Sequence, residues 1–349
     1  MIPQIQPLMD GKEAELASMY LTSGRWLTED RYTHIFEQNI EEFIDTDFCS
    51  LVPNGTMALV LSLLAVRIKP RDKVIVPALT MIATANAVRF IGAEPVFADV
   101  TKNGCLRLNS IPDDVKAVIY VSLNGSSDNL ENIERMCINE DVWLIEDSCQ
   151  AFGSKHGGRN LGTFGDVGVF SFSPHKIITT GQGGAIVTNS KWLHDEVERL
   201  KDHGREVGGV ESYPYFGINA KFTDLQAIIG SEQLIRAENR LKKKKEILGW
   251  YKKHSYETVF DNCAGDNIPW FVGIYANNPQ QLKADLFSNG IGSREMYPVV
   301  PHQPCYGIQK PFPIAEELSK KILWLPSSVN LVEDVVKHIC QTVRRLNHG

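Results

Sequence analysis

An α/β fold is what this sequence of 349 residues predicts: a large first domain around a mostly parallel sheet, then a smaller α+β domain. Three observations carry that expectation. Short apolar runs alternate with helical segments through the first two hundred or so residues, the pattern of a parallel sheet covered on both faces. Several runs end in polar residues, and open sheets of this kind gather ligands outside the carboxyl ends of their strands. Beyond about Trp250 the patterns shorten, which sets the boundary between a domain at 1–248 and one at 249–349.

The elements follow in order. Gly24–Phe43 opens with a turn and continues as a helix, with Tyr32, Ile35, Phe36, Ile40 and Phe43 at helical spacing. Asn54-Gly55-Thr56 precedes an apolar helix, so Asn54 is the expected N-cap and Gly55 permits close backbone approach. The start of such a helix offers unpaired N–H groups and a positive dipole end to a phosphate; an ordinary capped helix is the alternative. Lys73–Ala78 reads as a buried strand and LTMIATANAVRFIGA as a loop and helix. Glu94–Val100 and Ala117–Ser122 are strands, Asn129–Asn139 a helix, and Val142–Ile145 and Val167–Phe172 further strands. A glycine turn at Gly181–Gly184 leads to the run Ala185–Val187, then a helix at Trp192–Leu200. Thr223 or Asp224 caps a long helix that runs into Arg240-Leu241-Lys242-Lys243-Lys244-Lys245. That run reads as a solvated helical face and marks the hinge into the second domain. WFVGIYA as a strand, QLKADLFSNG as a helix ending at glycine, KILWLPSS as a strand and a helix at Glu333–Leu346 complete the chain.

Composition excludes several classes. The 36 basic and 42 acidic residues leave a mildly negative chain, against a nucleic-acid footprint spread over the protein. Cys49, Cys105, Cys137, Cys149, Cys263, Cys305 and Cys340 are scattered, without Cys-x-x-Cys or metal-ligand spacing, and read as reduced thiols. No metal is expected. The longest apolar run, Met57–Val66, is too short to span a bilayer, and the start lacks the apolar core of a signal peptide. No membrane partner is expected, and the location expected is the cytoplasm. No Gly-x-Gly-x-x-Gly follows a strand and no P-loop occurs, which disfavours a dinucleotide or nucleoside triphosphate site.

The chemistry concentrates in Val142–Asn189. Its first strand delivers Glu146 and Asp147 to the sheet edge, with Gln150 a turn later; its second delivers Ser171, Ser173 and Lys176. An amine, an anion and hydroxyls gathered at one edge suit pyridoxal phosphate, whose aldehyde, ring nitrogen and phosphate need those three partners.

The same stretch resembles the DegT/DnrJ/EryC1/StrS family of sugar aminotransferases. The matching pieces are IEDSCQAFG (Ile145–Gly153), DVGVFSFSPHK (Asp166–Lys176) and TTGQGGAIVTN (Thr179–Asn189), and the likeness runs from about Gly24 to Leu331. It implies an aspartate-aminotransferase-like, fold-type-I enzyme that binds pyridoxal phosphate. Lys176, six residues after Phe170 and five before Gly181, would be the catalytic amine. A dehydratase branch of the family carries histidine at that place, but the count from Phe170 puts Lys176 there and His175 beside it as a wall residue of the substrate pocket. Asp147 would pair with the ring nitrogen, or merely cap the next helix. Gln150 would reach the phenolic oxygen, and Asn54, Gly55, Thr56 and Ser171 would hold the phosphate. Met81 stands where many relatives stack an aromatic ring on the cofactor. Asn219 and Lys221 would reach the phosphate of a neighbouring subunit, which makes a homodimer with shared sites the expected assembly. Trp26, Arg294, Tyr297 and His302 are the candidates for substrate contact, each of a type that is more often structural when isolated. The activity implied is transfer of an amino group from glutamate to a nucleotide-linked 4-keto-6-deoxy sugar, for a surface polysaccharide such as O-antigen. The alternatives are a third-carbon aminotransferase, a dehydratase of the same family, or a non-catalytic regulatory protein that keeps the fold.

Overall fold

The computed structural model describes residues 1–254, 256–260 and 266–347; Cys263 lies outside the described residues. The elements in chain order are α1 (Lys12–Thr22), α2 (Arg31–Ile44), β1 (Phe48–Val52), α3 (Gly55–Ala65), β2 (Lys73–Pro77), α4 (Ala83–Phe90), β3 (Glu94–Ala98), β4 (Val115–Val121), α5 (Leu130–Asn139) and β5 (Trp143–Asp147). A short hairpin, β6 (Lys155–His156) and β7 (Arg159–Asn160), leads to β8 (Val167–Ser171), β9 (Gly184–Thr188), α6 (Lys191–Lys201), α7 (Asp224–Ile235) and α8 (Ala237–Lys253). The last part holds β10 (Thr258–Val259), β11 (Val272–Tyr275), α9 (Pro279–Ser288), β12 (Arg294–Glu295), α10 (Pro313–Lys321), β13 (Ile322–Leu325) and α11 (Glu333–Asn347).

Seven strands form the main sheet in the order β1-β9-β8-β5-β4-β2-β3, and β9 runs against the rest. Its strands, the edge strand β3 aside, are buried on both faces. In β4, Ala117, Ile119 and Val121 pack with α3 and α4, while Val118 and Tyr120 pack with Leu130, Ile133 and Cys137 of α5. That is why these strands read as continuous apolar runs rather than alternating ones. A smaller antiparallel sheet, β10-β11-β13-β12, is backed by Leu282, Leu286, Val336, Ile339 and Val343 of α9 and α11. Ile2 bridges to Ile291, and Gln4 donates to the Leu325 carbonyl at 3.3 Å, so the amino terminus lies on this second sheet.

Register brings the polar strand ends to one edge. Asp147 pairs with Val121 and Val169, Ser171 with Gly184, and Gly184 with Val52. Because β9 is reversed, its beginning rather than its end lies at that edge, and the chain leaving β1 enters α3 there. α3 is apolar all round because it is buried all round, from Ala58 through Leu63. Asn54 caps it, its side chain accepting the Met57 N–H at 2.9 Å.

The structure departs from the sequence reading in three places. α1 carries little apolar patterning, and the sequence reading places no helix there. The single long helix expected after Thr223 is two, α7 and α8, parted at Arg236. The basic run is not a wholly solvated face either. Arg240 is 7% and Lys244 3% exposed, and Lys244 Nζ donates to the carbonyls of Trp270 and Ser327, both at 2.6 Å. The physical reason is that a buried ammonium can be satisfied by carbonyls instead of a carboxylate. Among the described residues, no helix is long and apolar enough to cross a membrane.

Candidate active site

Lys176 follows β8 on a turn closed by its N–H bonding to the Ser173 carbonyl at 3.0 Å. The residue is half-buried, and its amine lies 3.8 Å from the centre of the Trp270 ring. Burial pushes the amine down to about 8, with Arg294 acting in the same direction, while Asp147 and Cys149 oppose. A lysine so shifted keeps a useful neutral fraction near neutral pH, as attack on an aldehyde demands. Next to it, burial with the Lys176 and Arg294 charges lowers the His175 imidazole to about 4, so the ring is neutral.

Asp147 ends β5 and is buried. Its Oδ2 accepts the Thr84 hydroxyl at 2.7 Å and its Oδ1 the Cys149 N–H at 3.3 Å. The reading of Asp147 as only a helix cap finds no helix after it; the turn through Gln150 runs into a loop. Gln150 Oε1 accepts the Asn124 N–H at 3.0 Å, and its Nε2 reaches the Tyr297 hydroxyl at 3.5 Å. Burial raises that Tyr297 phenol to about 12, so it is neutral and able to donate. Arg294 stacks its guanidinium 5.4 Å from the Tyr297 ring centre and is exposed. Lys176, Asp147, Gln150, His175, Tyr297 and Arg294 therefore surround one edge of the sheet.

Gly55 and Ser171 meet at the same edge. A Cβ on Gly55 would stand 2.8 Å from Cys149 Sγ and 3.0 Å from Ser171 Cβ, and one on Gly184 2.6 Å from the Asn54 carbonyl carbon. The start of α3 thus lies closer to the strand ends than any side chain permits. The N–H groups of Gly55 and Thr56, at the positive end of the helix, have no acceptor within the helix. Amine, carboxylate, amide, hydroxyl and helix terminus together make a donor set that fits pyridoxal phosphate.

Other candidates stand apart. Met81 is 46% exposed and its sulfur accepts the Ala83 N–H at 3.1 Å. Trp26 is 75% exposed, its carbonyl taking the Tyr20 hydroxyl. His302 follows a turn tied to the end of β2 by the Val300 N–H on Ala78 O, yet its own Nε2 meets the Lys310 carbonyl at 3.0 Å. Lys221 pairs with Asp202 at 2.6 Å and Asn219 accepts the Lys221 N–H at 3.4 Å; among the described residues, no hydrogen bond or ion pair joins either to Lys176, Asp147 or Gln150. Thr84, Asn124 and Trp270 are site neighbours that sequence reasoning missed. No local signal marks them, since each meets its partner across 26 to 94 positions of chain.

The fold and this edge define a pyridoxal-phosphate-dependent transaminase of fold type I. Residues 7–344 match the DegT/DnrJ/EryC1/StrS aminotransferase family, and the chain belongs to it. It is 34% identical to the GDP-perosamine synthase of Escherichia coli O157:H7, covering 98% of this chain and 97% of that protein. It is 32% identical to the UDP-N-acetyl-3-dehydro-alpha-D-glucosamine 3-aminotransferase of Acidithiobacillus ferrooxidans, over 85% and 83% of the two chains. Among solved structures, Helicobacter pylori PseC, an aminotransferase involved in pseudoaminic acid biosynthesis, superposes with a TM-score of 0.93 at 22% identity, covering 99% of each chain, and speaks for the fold alone.

Proposed function

We propose that this enzyme transfers an amino group from glutamate to the fourth carbon of a nucleotide-linked 4-keto-6-deoxy sugar, a GDP-sugar in the first instance. The observation that carries the reading is the Lys176 amine, lowered to about 8 by burial and set at the strand edge beside Asp147. A dehydratase would need histidine at that place, and a regulatory protein would have no use for a tuned amine. Likeness to the GDP-perosamine synthases supports the fourth carbon and GDP; likeness to the 3-aminotransferase keeps the third-carbon reaction as the second reading.

When bound, pyridoxal phosphate supplies an electrophilic carbon and a ring that spreads the negative charge developing at the substrate carbon. The roles of this chain's residues follow from position. Lys176 Nζ would hold the cofactor through its aldehyde carbon and, once freed, would carry the proton from the amino-bearing carbon of the donor to that aldehyde carbon. Asp147, already holding the Thr84 hydroxyl, would offer its charge to the ring nitrogen. Gln150 and Tyr297 would steady the phenolic side, while the Gly55 and Thr56 N–H groups and Ser171 would take the phosphate. Neutral His175 and Arg294 wall the side where a sugar phosphate would enter.

The active form in this reading is a homodimer. Val207, Val210, Tyr213, Tyr215 and Phe216 form an exposed apolar run that a second copy would cover, bringing Asn219 and Lys221 toward the other copy's phosphate site. The substrate test is incubation with glutamate and either GDP-4-keto-6-deoxymannose or the UDP-linked 3-keto sugar, with products read by mass spectrometry. An amino sugar from the first supports the proposal; one from the second alone moves the reaction to the third carbon.

A further inference from the structure

The ring of Trp270 lies against the Lys176 amine, and the mechanism above gives it no task. The residue is 2% exposed and held from several directions. Its indole N–H donates to the His175 carbonyl at 2.7 Å, and Phe271 stacks on it with ring centres 3.9 Å apart. Its carbonyl accepts Lys244 Nζ at 2.6 Å. Phe271, the next residue, is gripped by Asn124, which donates to Phe271 O at 2.9 Å and accepts from Phe271 N at 2.7 Å. Asn124 adopts a left-handed φ of 54° to do so, and its own N–H goes to Gln150. Trp270, Asn124 and Gln150 thus belong to one hydrogen-bonded frame, and the amine lies against its ring.

We propose that Trp270 is a positioning residue whose ring face seats the Lys176 ammonium whenever that amine is not bonded to the cofactor. The proposal rests on the reading of Lys176 as the cofactor-bonding amine. An amine that carries a proton from one carbon to another must be held as a cation in between, and an indole face attracts a cation most strongly where water is excluded. The charged and titratable groups that face it leave few alternatives. Asp147 attracts it, but both Asp147 oxygens already accept hydrogen bonds. Burial keeps the Cys149 thiol neutral, His175 is neutral, and Arg294 repels. Arg240 and Lys244 share a narrow cavity with Lys176 and are bound to carbonyls, Arg240 as a cation and Lys244 with its amine lowered by burial to about 7, so that neither offers the Lys176 ammonium a counter-charge.

The test is capture of pyridoxal phosphate by the full-length apoprotein, followed by absorbance across pH. Only the neutral amine adds to the aldehyde, with loss of water, so the rate climbs to a plateau whose midpoint reads the amine. The wild-type midpoint should fall at about 8. Trp270→Leu keeps an apolar wall without a π face, so the midpoint should drop by about one unit and capture at pH 7 should rise roughly fivefold. The half-reaction with glutamate should slow in the same variant, because its proton carrier is less basic. A purely structural role would slow both. Should Trp270→Leu fail to fold, fluorinated tryptophans at position 270 keep the shape while draining the ring face, and the midpoint should fall with each added fluorine. An unmoved or raised midpoint overturns the seat. Retained capture by Lys176→Gln removes the functional reading and the seat together, whereas lost capture there with unmoved midpoints in the Trp270 variants removes the seat alone.

Discussion

Asp224→Ala should unfold the amino-terminal wall of the molecule far more readily than the loss of a helix cap could explain. Thr223 is the cap of α7, its hydroxyl accepting the Gln226 N–H at 3.3 Å. Asp224 is fully buried and gathers donors from three places. Its Oδ1 takes the N–H of Asp30 at 3.0 Å, the N–H of Thr33 at 3.2 Å and the Thr33 hydroxyl at 2.6 Å. Its Oδ2 takes the Tyr32 N–H and the Tyr20 hydroxyl, both at 2.9 Å. One carboxylate therefore starts α2, anchors the end of α1 and fixes both to α7. Each buried donor left without a partner costs about 1–3 kcal/mol, but water entering the hole recovers part of that, so the net loss should be about 3–5 kcal/mol. A lost cap alone would cost about 1 kcal/mol. Urea unfolding followed by tryptophan fluorescence and circular dichroism gives the difference, with Asp224→Asn, which keeps one acceptor, falling between. A loss below about 1 kcal/mol in Asp224→Ala would mean that Asp224 acts as no more than a cap. The pH dependence has a definite sign. The hydrogen bonds lower this carboxyl in the folded state, so its contribution is complete above the ordinary aspartate value near 3.9 and disappears as pH falls through the lower folded value.

Three further outcomes follow from the site. Asp147→Asn retains the size and the Thr84 contact while removing the charge, and single-turnover rates with glutamate should fall on the order of a hundredfold with little change in stability; a rate within threefold of wild type would mean that another group serves the ring nitrogen. Gly55→Ala forces a Cβ to within 2.8 Å of Cys149 Sγ, so the cradle must open and pyridoxal phosphate should dissociate at least tenfold more readily by equilibrium dialysis, while unchanged retention would place the phosphate elsewhere. Co-refolding inactive Lys176→Ala with Lys221→Ala should restore up to about a quarter of wild-type activity if two copies share each site, and full activity in Lys221→Ala alone would remove Lys221 from it.

The sheet is legible in the sequence because all its strands but the edge strand β3 are buried on both faces and stand out as apolar runs. Lys176, Asp147 and Gln150 are legible because parallel strands deliver their last residues to one edge, so the order of polar residues along the chain maps onto the site. Contacts made across the chain were not legible. Asn124 meets Phe271 across 147 positions and Lys244 meets Ser327 across 83, and nothing near either residue announces the partner. From its neighbours Lys244 reads as one of a solvated run, whereas two distant carbonyls decide its burial. Asp224 shows the same limit, since local capping rules cannot see donors some 190 positions away.

Borohydride reduction of the enzyme loaded with pyridoxal phosphate, followed by peptide mapping, decides whether Lys176 is the amine that holds the cofactor. The reduction fixes the cofactor's aldehyde carbon to whichever amine holds it. A pyridoxyl group is expected on Lys176 and on no other lysine, including the more deeply buried Lys244. A pyridoxyl group on any other residue, with Lys176 unlabelled, would contradict that assignment.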